Sequence, residues 1–553
     1  MKPNDPHWYS ETEVPMTIAS AEAFHWDRET DVAVIGAGAA GASAALEACA
    51  QGASVLLVDR FTGGGASAIS GGVIYMGGGT KYQQQAGFND TPQNMFNYLK
   101  LETRGIVGDE TLKKFCDDSI PNLQWLEKHG VSFDASMSPV KTSYPTNKYF
   151  LYYSGNELVK EFTDVATPAP RGHRVKWKGF SGAGLMDALL RSCRKTRVQT
   201  AFMSRVTQLV QNNEGRVLGF KMLQIPPHSP HADTFASDYK WFCRLRMFVP
   251  AIAQKLRARM EKIEREHAVM HLVRVRKGLV LAAGGFIFNR DMAKFHAPKY
   301  AAGAPLGSLG CNGSGIRLGE SIGAATGNMQ RGSAWRFINP PKAWVQGIIV
   351  NRKGKRFVNE QCYGARIGEF MCEENDGIAT LIFNRAMLRN AFSQLRPGKV
   401  WLMLQTAPAL LSILFNTHKA RSIDALAKKC AIPPECLAKT LAHYNAACAG
   451  KEEDAMHKSP EFMRTMLKGP YYAMDISLKN KRFICPVISL GGLLVDEKTG
   501  QVKREDGSLF PNLYAAGRTA VGVASQSYVS GLSLADCIFS GRRAGKQVAA
   551  NEH

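Results

Sequence analysis

The chain has 553 residues, more than one ordinary domain holds, and its 45% apolar and 21% charged residues exclude a disordered or fibrous protein. Its formal charge of +22 comes with no zinc-finger spacing, RNP-like motif or basic-zipper pattern. Nucleic acid is therefore not an expected partner, and the charge reads as a property of the surface. The 12 cysteines are scattered without a C-x-x-C pair, which excludes zinc and iron–sulfur frameworks and points to free thiols in a reducing compartment, with no metal.

Residues 1–26 carry several acidic side chains and no basic-then-apolar signal pattern, so a cytoplasmic protein is expected. Residues 31–59 then read as strand, tight turn, helix and strand. Val32, Val34 and Ile35 make a short buried strand, followed by Gly36-Ala37-Gly38-Ala39-Ala40-Gly41. The first glycine permits the turn, the second lets backbone approach a pyrophosphate, and the third lets the helix pack on the strand. The helix runs on through Ala44, Leu46 and Ala48 with its N-terminus aimed at the phosphates. The second strand, 54–58, ends on Asp59, 23 residues after Gly36, where a carboxylate can bond ribose hydroxyls.

Gly63-Gly64-Gly65-Ala66-Ser67 and Ser70-Gly71-Gly72 follow, small enough to lie flush against a flavin diphosphate and ring. Residues 226–276 interrupt a strand pair. Between Lys240 and Arg265, eight Lys or Arg face only Glu261 and Glu264. There Trp241, Leu245, Phe248, Ile252, Leu256 and Ile263 share one helical face, with Pro250 forcing a kink or break. Such a basic helix over 238–265 fits a membrane surface or partner contact; the alternative is a helix docked on its own domain. His228-Ser229-Pro230-His231 lacks a third ligand and reads as a loop.

Residues 278–286 form a strand breaking into a double glycine at Ala283-Gly284-Gly285. The most apolar run, 400–415, contains Gln405, Thr406 and Pro408, so no stretch reaches the ~20 residues that cross a bilayer. Helices are expected over 422–430, 434–447 and 460–467, with Cys436, Leu437, Leu441 and Tyr444 as core. Near the end come Leu513-Tyr514-Ala515-Ala516-Gly517-Arg518 and Gly531-Leu532-Ser533-Leu534-Ala535-Asp536. The latter opens a helix whose positive end can face a flavin, with Asp536 supporting it. Four glycine-rich segments spread along the chain imply one large shared ligand, FAD.

These segments, with Asn312-Gly313-Ser314-Gly315-Ile316, Lys355-Arg356-Phe357-Val358-Asn359-Glu360, residues 468–473, Leu490-Gly491-Gly492 and Phe539-Ser540-Gly541-Arg542, resemble the flavoprotein family of fumarate reductases, succinate dehydrogenases and 3-ketosteroid dehydrogenases. The resemblance implies an α/β, Rossmann-like FAD domain in two parts, 1–334 and 469–553, with a smaller α+β cap, 335–468, inserted between them. In the first part it implies that Gly36, Gly38, Ala39, Ala40, Gly41, Asp59, Arg60, Gly64, Gly65, Ala66, Ser67, Ser70, Gly71, Gly72, Val206, Ala283 and Gly284 hold FAD. In the second part Gly517, Arg518, Leu532, Ser533 and Leu534 do the same. No His stands in the early glycine-serine segment, so the flavin is expected to be non-covalent.

The fumarate reductases' Arg and His positions correspond to Gly364 and Ile488 here, which disfavours a dicarboxylate substrate. Tyr363 instead stands where 3-ketosteroid dehydrogenases carry a phenol. Tyr528-Val529-Ser530-Gly531 resembles the Δ4-(5α) subgroup, because Δ1 enzymes read Tyr-Pro-Gly-Ala-Gly there. The catalytic set this implies is Tyr363, Tyr528 and Ser530, with the Gly531 N–H at the ketone oxygen. Ser530 and Tyr528 are expected as the proton relay, with Tyr363 as its partner or a carbonyl donor. The expected partners are a steroid and, since only one dinucleotide fingerprint is present, a quinone or other carrier rather than bound NAD(P). The rival readings are Δ1-dehydrogenation or reduction of another activated alkene, and a membrane-associated flavin or lipid binder without turnover.

Overall fold

The computed structural model describes residues 12–246, 249–396 and 400–551. The valine-rich strand Arg28–Ile35 lies inside the main sheet, parallel to Val55–Val58 on one side and to Val269–Leu281 on the other. Val198–Ala201 continues the sheet beyond Val55–Val58, and Leu509–Ala515 joins the far half of Val269–Leu281. Strands buried on both faces suit runs such as Val55-Leu56-Leu57-Val58, all of them buried. An antiparallel pair, Ser204–Gln211 and Val217–Gln224, extends the sheet through the near half of Val269–Leu281.

The helix Ala39–Ala50 follows the glycine turn and packs on the terminal helix Leu532–Ala550. Small residues set how close the two approach. A Cβ on Gly541 or Gly545 would stand 2.3 or 2.2 Å from the carbonyl oxygens of Ala40 and Ala44, so any side chain there would push the helices apart. This contact joins the two sequence-distant parts of the FAD domain.

The basic insertion folds as a helical hairpin, Pro230–Leu245 and Pro250–His267. Ser229 caps the first helix, accepting the Ala232 N–H, and Pro250 opens the second at the expected break. The last residues of the interval 226–276 are already strand, because Val269–Leu281 begins within it. Phe235, Tyr239, Phe242, Met260 and Ile263 close a small core over Phe61 and Leu309, and the Tyr239 ring stacks 4.4 Å from that of Phe61. An Asp238–Arg259 pair ties the helices together. Of the face expected for one helix, Ile263 is buried, Leu245 and Leu256 are half-buried, and Trp241 and Ile252 are exposed. Phe248 lies outside the described residues.

A second core surrounds the four-stranded antiparallel sheet Ile348–Val350, Thr380–Asn384, Tyr471–Asp475 and Thr417–Ala420. Helices form at Ile423–Lys429 and Pro434–Cys448, and Leu437, Leu441 and Tyr444 are buried as expected. Cys436 corrects that set: it is exposed, one position off the buried face. The helix expected over 460–467 is also absent, only a 3₁₀ turn at Pro460–Phe462 forming. Asn445 supplies the reason, since its side chain accepts the Met466 N–H and donates to the Met466 carbonyl, replacing helical partners. All 12 cysteines are free.

Candidate active site

Gly36 takes φ +106° and brings its N–H to the Val58 carbonyl at 2.7 Å. A Cβ on Gly36 would stand 2.4 Å from the Ala282 carbonyl oxygen, and one on Gly41 would overlap the Gly36 carbonyl. Backbone therefore lines this turn where a diphosphate must approach, and Gly38 sits as the N-cap of Ala39–Ala50. The Asp59 carboxylate accepts the N–H groups of Ala37 and Phe61, each at 2.8 Å, leaving further lone pairs for hydroxyls. Burial pushes its pKa up against those bonds. Arg60 turns its guanidinium to Glu264 of the hairpin, in a two-pronged pair at 2.7 and 2.6 Å.

The other glycine segments converge on the same turn. Gly64 donates to the Ala37 carbonyl, and the Ser67 hydroxyl accepts the Ala39 N–H at 3.1 Å. Ser70 bonds the Ser67 carbonyl and takes the Gly72 N–H, fixing the stretch Ala66 to Gly72. Gly284 donates to Thr519 Oγ1, and Gly517 donates to Ser540 Oγ, so the segment around Ala283 is bound to that around Arg518, and the latter to the terminal helix. Val206 is buried in its strand beside these turns. Gly531, at φ +93°, caps Leu532–Ala550, and the first-turn N–H groups of Ser533 and Leu534 lack intrahelical acceptors by helix geometry. Asp536 is fully buried, its pKa raised to about 6 by desolvation, while the N–H groups of Val523 and Ala524 pull the other way. This cradle of backbone N–H groups, kept bare by glycine, fits the diphosphate and ring of FAD.

The expected trio stands together. Ser530 Oγ lies 3.0 Å from the Tyr152 hydroxyl, with the Tyr363 phenol close by. Tyr528 stacks on Trp335 with centroids 4.7 Å apart. Burial raises the Tyr528 phenol to about 12, while the Arg518 charge and the Gly531 N–H draw it down. Burial likewise raises Tyr152 and Tyr363, helped for both by the neighbouring phenols and opposed by bonds to Ser530. All three phenols thus stay protonated near neutrality.

Three participants were not singled out from sequence. Tyr152 lies on the short strand Leu151–Tyr152, and only folding brings it to Ser530. Trp335, expected only as the start of the cap, forms the aromatic bed of Tyr528, and its buried indole N–H has no partner among the described residues. Glu102 lies in the buried helix Pro92–Thr103 and accepts the Tyr98 hydroxyl at 2.8 Å, Asn156 Nδ2 at 2.7 Å and the Ser527 hydroxyl at 3.1 Å. Asn156 Oδ1 in turn accepts the Tyr363 N–H at 2.7 Å. The Glu102 carboxylate therefore anchors Tyr363 through Asn156, while the Ser527 hydroxyl, just before Tyr528, makes its shorter bond, 2.6 Å, to the Glu102 carbonyl.

The FAD binding domain family model matches residues 31–534. A 3-oxo-5-alpha-steroid 4-dehydrogenase of Comamonas testosteroni is 38% identical over 511 residues, covering 91% of this chain and 95% of the relative. A cytochrome-type fumarate reductase of Shewanella frigidimarina is 24% identical, covering 94% of this chain and 77% of its own. Among solved structures, a 3-ketosteroid Δ4-(5α)-dehydrogenase of Rhodococcus jostii in complex with 4-androstene-3,17-dione is similar at TM-score 0.78 and 29% identity, covering 98% of this chain and 100% of that one.

Proposed function

We propose, from the premise that this chain belongs to the FAD-binding flavoprotein family of fumarate reductases and 3-ketosteroid dehydrogenases, that it dehydrogenates 5α-reduced 3-ketosteroids to 4-ene-3-ketosteroids. The observation that carries the reading is Ser530, whose hydroxyl bonds the buried Tyr152 phenol among the phenols of Tyr363 and Tyr528. The similarity to the Comamonas and Rhodococcus enzymes supports it. FAD, held non-covalently, supplies the two-electron acceptor for the hydride leaving carbon 5.

The protein's own residues handle the proton at carbon 4. Tyr528 stands three residues before Gly531 at the opening of the terminal helix, which suits its hydroxyl and the Gly531 N–H to share one ketone oxygen as enolate charge develops. One such donor is worth about 3 kcal/mol. Ser530 accepts the carbon-4 proton as it hands its own to the ionised fraction of Tyr152, with the Tyr363 phenol beside it, so that the relay ends neutral next to a neutral steroid. The relay partner in this reading is Tyr152 in place of the expected Tyr528, because the Ser530 hydroxyl bonds Tyr152, and Tyr528 serves as a carbonyl donor. With one dinucleotide fingerprint in the chain, a quinone or another diffusible carrier reoxidises the enzyme.

Anaerobic mixing of the yellow protein with a panel of 3-ketosteroids tests the reading. Bleaching by 5α-reduced substrates with a 4-ene product by mass and NMR is expected. Bleaching only by 4-ene-3-ketosteroids would move the activity to Δ1, and no bleaching by any steroid would remove the substrate assignment.

A further inference from the structure

The cap carries an apolar surface that its own fold leaves uncovered. The helix Ala407–Phe415 and the turn before it expose Leu402 at 56%, Leu411 at 51%, Leu414 at 68% and Phe415 at 61%. Ile484 is exposed beside them, on a loop whose Arg482 bonds the Phe415 carbonyl at 2.6 Å. Scattered single exposures need no explanation, but large aliphatic and aromatic side chains clustered on one short helix do.

Charge says what this surface meets. Residues 377–423 contain no Asp or Glu, and Lys419, Lys479, Lys481 and Arg482 are exposed on the segments adjoining the helix end, outnumbering the exposed Asp475 among them. Apolar side chains ringed by cations complement an anionic lipid surface, in which the chains enter the acyl boundary and the cations meet the headgroups. A second copy of this chain is disfavoured as occupant, because two such faces would bring like charges together on a protein already at +22. The helix has 9 residues, too short to span the ~30 Å hydrocarbon core, so it lies in the interface.

The patch leads toward the site. Next to Leu402, Trp401 stacks on the exposed Phe180, and both rings lie near Tyr144. Gln405 donates to the Tyr144 carbonyl, and the Tyr144 hydroxyl donates to the Gly71 carbonyl of the flavin-facing loop. Tyr144 in turn packs with Tyr152, which reaches Ser530. We propose that the cap docks on anionic lipid through Leu402 to Phe415 and its basic rim, so that a membrane-dissolved substrate enters beside Tyr144. The docking stands on geometry and charge alone; the entry of a steroid rests on the proposed function.

The test is sedimentation of the full-length FAD-loaded protein with vesicles of mixed phosphatidylcholine and phosphatidylglycerol, against phosphatidylcholine alone. Binding to the mixed vesicles is expected, falling about tenfold or more in a Leu414→Ser/Phe415→Ser variant. A Lys479→Glu/Lys481→Glu variant, which leaves the apolar chains in place, should weaken binding and steepen its loss with salt. Flavin bleaching by a water-dispersed steroid should be unchanged in both, so failure of the substrate assignment is read separately from failure of docking. Binding that persists in both variants but is lost in Trp241→Ala would overturn the proposal in favour of the helical hairpin. It would equally be overturned by no vesicle binding, or by a concentration-dependent dimer that the cap variants abolish.

Discussion

The Ser530 hydroxyl is hydrogen-bonded to the Tyr152 phenol, and that decides how its chemistry should respond to change. Removing the hydroxyl in Ser530→Ala breaks the relay while leaving the FAD cradle intact. We expect kcat to fall about 10²- to 10³-fold with KM little altered and the flavin spectrum retained, measured by single-turnover bleaching. The pH profile separates this relay from a carboxylate base. Asp536, held near 6, would give a rate that rises to about pH 6 and is level above it. Phenols raised by burial are protonated throughout that range, and their ionised fraction grows about tenfold per pH unit below their pKa. With Tyr152 as the proton path, kcat should therefore keep climbing through the alkaline range, and a plateau from pH 6 upward would reassign the base.

At the scale of elements, what was legible in the sequence followed local rules. The strand, glycine turn and helix around Gly36 were readable because each glycine answers a nearby steric demand, and the hairpin break was readable because Pro250 cannot continue a helix. The extended course of 463–467 was not, since the amide that replaces its helical bonds belongs to Asn445, well upstream. Glu102 was hidden for the same reason: it lies among ordinary helical residues, and its partners Asn156 and Ser527 come from distant segments. Its function as an anchor is testable. In Glu102→Gln the amide oxygen can still take Tyr98 and Asn156, but the two charge-assisted bonds become neutral ones, loosening the Asn156 contact to Tyr363. A drop of about tenfold in kcat is expected, with FAD content and KM nearly unchanged. A merely structural role would instead appear as lost FAD or lower solubility, and restoration by Glu102→Asp would mark the charge as the working feature.

Over the whole molecule, the basic hairpin joins the turn after Asp59 through the Glu264 carboxylate, paired with Arg60 and Arg205, and through a small aromatic core. Burial pushes the Glu264 carboxyl up, but the charge and hydrogen bonds of Arg60, with Arg205 and Arg265 beyond, more than offset this and hold it below the ordinary range. A carboxylate whose folded-state pKa is depressed contributes stability fully above the unfolded value of about 4.3 and loses it as pH falls through the lower folded value. At neutral pH the pair is therefore intact, and truncating Glu264 leaves the partly exposed Arg60 and Arg205 without their carboxylate. Glu264→Ala should cost about 1–3 kcal/mol of docking free energy. Trypsin should then cut rapidly within 240–265, a segment dense in Lys and Arg, while the rest of the chain resists. Because Arg60 adjoins Asp59, the same variant should release FAD more readily on dilution. Glu261→Ala provides the control, since its Arg257 partner is on the surface and such pairs contribute about 0–1 kcal/mol. Equal digestion of the two variants would mean that the Phe61–Tyr239 core, and not the ion pair, fastens the hairpin to the domain.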